Sequence, residues 1–175
     1  MVEADSSLNA SEQFQPELTD ATDGLMLWNS PDAMKRCRVP GQVVGPLRVL
    51  LAEDNPIDQI SIRRLLEKQG IEVSVAGDGR QAVDMYESGA FDLVLLDILM
   101  PEKDGFEVAE DIREHEKASD GHIPVIALTA YSLMAVYDKC RSAGMNGYLS
   151  KPVANSALRR LCAMLLPELP ELLKD

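Results

Sequence analysis

The chain has 175 residues, 46% of them apolar and 26% charged, the proportions of a soluble globular protein large enough for one domain with extensions but too short for a multidomain enzyme. With 29 acids against 17 bases the net charge is -12, which repels a phosphate backbone, so direct nucleic-acid binding is not expected. No apolar run reaches the ~20 residues of a membrane span and no basic segment precedes an apolar stretch at the N-terminus, so a cytoplasmic protein is expected.

Residues 1–46 contain Pro16, Pro31, Pro40 and Pro46, polar clusters and no sustained period, and are expected to be a flexible extension or linker. Their one apolar cluster, Gly24-Leu25-Met26-Leu27-Trp28, holds the only tryptophan. Two readings stay open for it, a strip packed on the domain and a short partner-binding element. From Leu47 to about residue 166 the pattern is strand then helix, five times over, and a short tail follows at 167–175. Leu47 to Ala52 is a nearly continuous apolar run, as a parallel strand buried on both faces requires. Asn55 and Pro56 give an N-cap and a proline at the first helical position, and that helix stops at Gly70. Strands are expected at Ile71 to Ala76, Leu93 to Leu96, Ile123 to Leu128 and Gly147 to Leu149. Helices are expected at about Arg80 to Ser88, Gly105 to Lys117, Ser132 to Ala143 and Val153 to Leu166. The three cysteines, Cys37, Cys140 and Cys162, have no Cys-x-x-Cys spacing and are expected to be free thiols.

Such alternation implies right-handed crossovers and a parallel sheet covered by helices on both faces. Function in these sheets sits beyond the carboxyl ends of the strands. There the first strand ends in Glu53-Asp54, the third in Asp97 and the fourth in Thr129, while Lys151 lies two residues past the fifth. Each residue alone reads as a cap or a solvated side chain; the joint placement is what points to chemistry. Three carboxylates brought together repel unless a cation sits among them, and oxygen-only ligands suit Mg²⁺. Thr129 and Lys151 have the groups to hold phosphate oxygens, so phosphoryl transfer with one carboxylate as acceptor is the expected chemistry.

These residues resemble the receiver domain of two-component response regulators. The resemblance rests on Ala52-Glu53-Asp54-Asn55, on Leu95-Leu96-Asp97-Ile98-Leu99-Met100-Pro101 with Asp104-Gly105, on Ala127-Leu128-Thr129-Ala130, and on Ala143 to Pro152 with its Tyr148-Leu149-Ser150-Lys151. Its phrasing is most similar to the receivers of hybrid histidine kinases. The resemblance implies a flavodoxin-like (βα)5 fold with strand order 2-1-3-4-5. It makes Asp97 the phosphate acceptor, and Asp54, Asp97 and the backbone carbonyl of Leu99 the Mg²⁺ ligands, with Glu53 acting through water. It assigns Thr129, Ala130 and Lys151 to the phosphoryl group, Tyr148 to a switch that follows Thr129, and a cis peptide to Lys151-Pro152. The implied donor is a histidine kinase or a histidine phosphotransfer protein. The domain is then no enzyme beyond self-phosphorylation and self-dephosphorylation.

Three other readings compete with this one. A haloacid-dehalogenase-like Mg²⁺-dependent phosphatase needs a second acid two residues after its nucleophile, and Leu99 stands there. A phosphohistidine carrier would use His115 or His122, and both are expected to be solvated. A phosphate-independent interaction module would lack the acceptor, an acid or the lysine, and none is missing. With 24 residues after Lys151, output is expected to pass through protein contact. The fourth helix is apolar almost all round, so a homodimer through the fourth helix, fifth strand and fifth helix is a further expectation.

Overall fold

The computed structural model describes residues 21–28, 45–119 and 121–165. Cys37, the tail at 167–175 and most of the segment 1–46 lie outside the described residues. A 3-10 turn, Ala21–Asp23, precedes strand β1, Leu25–Leu27. Then follow β2 (Arg48–Ala52), α1 (Pro56–Glu67), β3 (Glu72–Ala76), α2 (Gly79–Ser88), β4 (Leu93–Asp97), α3 (Gly105–Glu116), β5 (Val125–Thr129), α4 (Leu133–Ser142), β6 (Gly147–Ser150) and α5 (Asn155–Leu165).

The strands form one sheet in the order β3-β2-β4-β5-β6-β1. From β2 to β6 every pairing is parallel and the order is that of a flavodoxin-like fold. Alternation along β2 divides the core into two layers. Val49 and Leu51 pack with Ile62 and Leu66 of α1 and Leu158 and Leu161 of α5. Leu50 and Ala52 pack with Ala82 of α2, Ile112 of α3 and Cys140 of α4. All five residues of β4 and of β5 are buried, which is why their sequences run apolar without alternation. β5 starts two residues later than expected because Pro124 has no N–H to offer a ladder; its carbonyl instead accepts from Val94 N at 2.9 Å.

Helix starts follow their caps. Asn55 Oδ1 accepts from Ile57 N at 2.9 Å with Pro56 next in line. Asp104 and Glu107 form a reciprocal capping box at 2.9 and 3.0 Å, fixing the start of α3. Gly105 allows that start to close on β4, since a Cβ there would strike the backbone carbonyl of Asp97.

The sheet departs from the expected five strands at one edge. Leu25–Leu27 lies antiparallel to β6, with Leu25 opposite Leu149, Met26 opposite Tyr148 and Leu27 opposite Gly147. The apolar cluster at 24–28 therefore packs on the domain, the first of its two readings, and supplies a sixth strand. Leu25 and Leu27 join the α1/α5 core layer and Met26 the other. Cys140 and Cys162 are buried free thiols, and burial pushes them up to about 11 and about 12.

Candidate functional site

Four parallel strands deliver polar residues to one rim. Glu53 and Asp54 follow β2, Asp97 and Thr129 close β4 and β5, and Lys151 follows β6. Oxygens of Glu53, Asp54 and Asp97 lie within 4.8 Å of one another, Glu53 and Asp97 buried and Asp54 exposed. The Lys151 ammonium reaches into this cluster, 2.6 Å from Glu53 Oε2, 2.9 Å from Asp97 Oδ2 and 3.5 Å from Asp58 Oδ2. Backbone amides hold the other oxygens: Asn55 N donates to Glu53 Oε1 and Leu99 N to Asp97 Oδ1, each at 3.1 Å. Gln59 Nε2 donates to the Glu53 carbonyl at 2.6 Å.

The charges are unbalanced. Burial pushes the Glu53 carboxyl up to about 7; Lys151 and the Asn55 amide draw it down and the Asp97 charge adds to the rise. Burial also works against the Lys151 charge, but the Glu53 and Asp97 carboxylates outweigh it and hold the ammonium above its ordinary value. Three clustered carboxylates, with Asp58 beside them, thus face a single ammonium. An oxygen-only donor set with excess negative charge fits a hard divalent cation such as Mg²⁺.

Thr129 is buried, and its Oγ1 accepts from Tyr131 N at 3.0 Å. Ala130 next to it is exposed. Tyr148 is buried, and its hydroxyl donates to the Tyr131 carbonyl at 3.0 Å. The Lys151–Pro152 peptide is cis, and Lys151 N donates to the Thr129 carbonyl at 2.9 Å. The structure thus brings Glu53, Asp54, Asp97, Thr129, Ala130 and Lys151 to one rim, with Leu99 on its lip and Tyr148 beneath the Tyr131 loop.

Sequence reasoning missed Asp58. An acid in a first helical turn reads as a partner of the helix dipole, and only the fold shows it facing Lys151. His122 is exposed, as expected, and its Nδ1 also lies 3.1 Å from the buried Glu116 carboxylate. His115 is half exposed, edge-on to Tyr86 with ring centres 5.7 Å apart.

The model of the response regulator receiver domain matches residues 49–163. The chain belongs to that family. It is 35% identical over 156 residues to hybrid signal transduction histidine kinase I of Dictyostelium discoideum, covering 85% of this chain and 9% of that protein. It is 39% identical over 114 residues to the transcriptional regulatory protein PdtaR of Mycobacterium tuberculosis, covering 65% of this chain and 53% of that one. The chain therefore spans only part of these relatives. Among solved structures it resembles the receiver domain of the sensor histidine kinase PA1611 of Pseudomonas aeruginosa, which has a magnesium ion coordinated in its active-site cleft. That match has 35% identity and a TM-score of 0.63, covering 71% of this chain and all of that one. It also resembles the receiver domain of Ssk1 from Saccharomyces cerevisiae in complex with the phosphotransfer protein Ypd1, at 30% identity and a TM-score of 0.66, covering 74% and 97%. Membership removes the phosphatase reading, and Leu99, an exposed apolar side chain, stands where its general acid would be. No described helix is long and apolar enough to cross a membrane.

Proposed function

We propose that this receiver domain accepts a phosphoryl group on Asp97 from a phosphohistidine of a histidine kinase or histidine phosphotransfer protein. The observation that carries the proposal is the setting of Asp97: buried at the end of a central strand, beside two further acids, and bonded to Lys151 at 2.9 Å. The Asp97 carboxylate attacks phosphorus, the new O–P bond forms as the N–P bond breaks, and the electron pair of the broken bond stays on the donor imidazole. Lys151 follows the phosphoryl charge, and the Thr129 hydroxyl and Ala130 backbone serve its remaining oxygens. Asp54, Asp97 and the Leu99 carbonyl would hold Mg²⁺, with Glu53 acting through water, and the cation would supply charge neutralisation for carboxylates and phosphoryl oxygens alike.

A protein donor suits the surface around this rim. Ile57, Ile60, Leu99, Tyr131 and Met134 are large apolar side chains at least half exposed, and they sit on the loops and helix starts that follow β2, β4 and β5. A small-molecule site would enclose such groups; a docking face displays them. The domain's own chemistry is then confined to itself, as uptake from small acyl phosphates and later loss by hydrolysis. Tyr148 answers Thr129 through the Tyr131 loop as the output switch.

Incubation with acetyl phosphate and Mg²⁺, or with a phosphorylated phosphotransfer protein, should add one acid-stable, alkali-labile phosphate per chain. Asp97→Asn should take up none. Full labelling of that variant would overturn the assignment.

A further inference from the structure

The outer edge of β6 would be the bare end of a parallel sheet, with backbone donors and acceptors open to any strand that approaches. In this chain β1 closes it. Beyond the three paired residues, Ser150 N donates to the Gly24 carbonyl at 3.0 Å and Trp28 N to the Asn146 carbonyl at 3.2 Å. Side chains fasten both ends of the strand. At one, Arg160 of α5 pairs with Asp23 and donates to the Leu25 carbonyl at 3.1 Å. At the other, Trp28 Nε1 donates to the Met145 carbonyl at 2.7 Å, and the indole meets Tyr137 of α4 edge-on, 5.4 Å between ring centres. One short segment thus touches α4, β6 and α5 together, the face expected to pair with a second copy.

The same segment adjoins the switch. Met26 lies opposite Tyr148, so the two side chains share one side of the sheet, and both belong to the core layer that Trp28 packs against. The Tyr148 hydroxyl is held by the Tyr131 carbonyl, and the Tyr131 amide is held by Thr129 Oγ1. A hydroxyl that turns from Tyr131 N to a phosphoryl oxygen releases the loop that seats Tyr148, and Tyr148 is part of the floor under β1. The strand is also poised to respond. Its gain from three buried apolar side chains and an indole is of the same order as the cost of ordering residues 21–28.

We propose that β1 is an intramolecular plug of the β6 edge, which withholds the α4–β6–α5 face from partners while docked and loosens when Asp97 is phosphorylated. The link to Asp97 rests on the function proposed above; the plug itself rests on the strand pairing and its anchors. Coupling of this kind is reciprocal: whatever weakens docking must favour the phosphorylated state by the same factor.

Trp28 is the only tryptophan, so its emission in the full chain reports docking directly. Phosphorylation with acetyl phosphate and Mg²⁺, its stoichiometry read by intact mass, should move Trp28 emission to the red and speed hydrogen exchange at the Met26 and Trp28 amides, which face β6; Asp97→Asn should show neither. Met26→Asp should emit to the red without phosphorylation and bind beryllofluoride with Mg²⁺ at least about fivefold more tightly. Gly24→Ala places a side chain at φ +81 against Ser150. Because Gly24 lies outside the five parallel strands, this variant gives the same readouts should a charge at position 26 unfold the chain. Stoichiometric phosphate with unchanged emission and exchange would overturn the inference and leave the acceptor assignment intact. Absence of phosphate would overturn the acceptor assignment and with it the link. Equal beryllofluoride affinity of the released variants and the wild type would overturn the coupling.

Discussion

Both ends of the sheet bury charge, and they treat it in opposite ways. At the amino ends of the strands the Glu116 carboxylate receives Arg113 Nη1 at 2.7 Å, His122 Nδ1 at 3.1 Å and Ile123 N at 2.5 Å. Arg113 also donates to the carbonyls of Gly144 and Ile123 and to Asn146 Oδ1, which in turn accepts from Val125 N at 2.9 Å. This closed network ties α3 to the starts of β5 and β6 and borders a cleft of about 280 Å³ that is also lined by Tyr86 and Phe91. At the carboxyl ends Glu53, Asp97 and Asp58 share one ammonium, with Asp54 clustered beside Glu53 and Asp97. A buried charge whose partners are all supplied by the fold is architecture. One left with surplus charge of its own sign is a site for something brought in from outside.

The contrast is broken most directly by removing one anchor from each end. Glu116→Ala leaves the largely enclosed Arg113 without its buried carboxylate, and loss of one partner of a buried pair costs ~3–5 kcal/mol. Denaturant melts should show that loss while the folded fraction still takes up phosphate at the wild-type rate. A stability change below about 1 kcal/mol would show that the network is not the clamp its geometry suggests. At the other end Lys151→Ala should slow phosphoryl uptake by ~100-fold, the scale of losing one preorganised charge. Its effect on stability should be the smaller of the two, because Glu53, already raised to about 7, can take up a proton in place of the ion pair. Rates of labelling and denaturant midpoints measured on both variants give the crossed comparison; parallel losses in both would erase the distinction between the two ends.

The same comparison explains what could be read from the sequence. Strands β2, β4 and β5 announce themselves as apolar runs, the first helix by Asn55-Pro56, and the rim residues by their places at strand ends. Each of those signals is local. The amino-end network is not: Arg113 and Glu116 are an i,i+3 pair that looks like a surface ion pair, and only folding brings Asn146 and His122 to it. β1 is harder still. Three apolar residues have no measurable period, and their pairing with Leu149, Tyr148 and Gly147 joins segments more than a hundred residues apart. Asp58 was hidden for the opposite reason, since its local role in a first helical turn was sufficient to account for it.

The smallest expected effect concerns how long the phosphoryl group stays, and it separates the lip of the rim from its floor. Hydrolysis of an acyl phosphate needs a water in line with phosphorus, and Leu99 and Tyr131, two residues beyond Asp97 and Thr129, flank the approach. Both side chains are at least half exposed. Leu99 offers no hydrogen bond to place a water. Tyr131 is bulky, and its backbone is engaged at both its amide, with Thr129, and its carbonyl, with Tyr148. That leaves the ring, and not the loop, as the adjustable element. Slow self-hydrolysis follows from an apolar group and an obstructing ring where a water must be oriented. Leu99→Asn and Tyr131→Glu should each shorten the phosphoryl half-life by about tenfold, equivalent to ~1.4 kcal/mol of barrier. Neither should alter stability, because neither side chain belongs to a core layer. The measurement is decay of labelled protein in excess Mg²⁺ after the donor is removed. A wild-type lifetime of seconds, unchanged in both variants, would place control of the water with the buried residues of the floor instead.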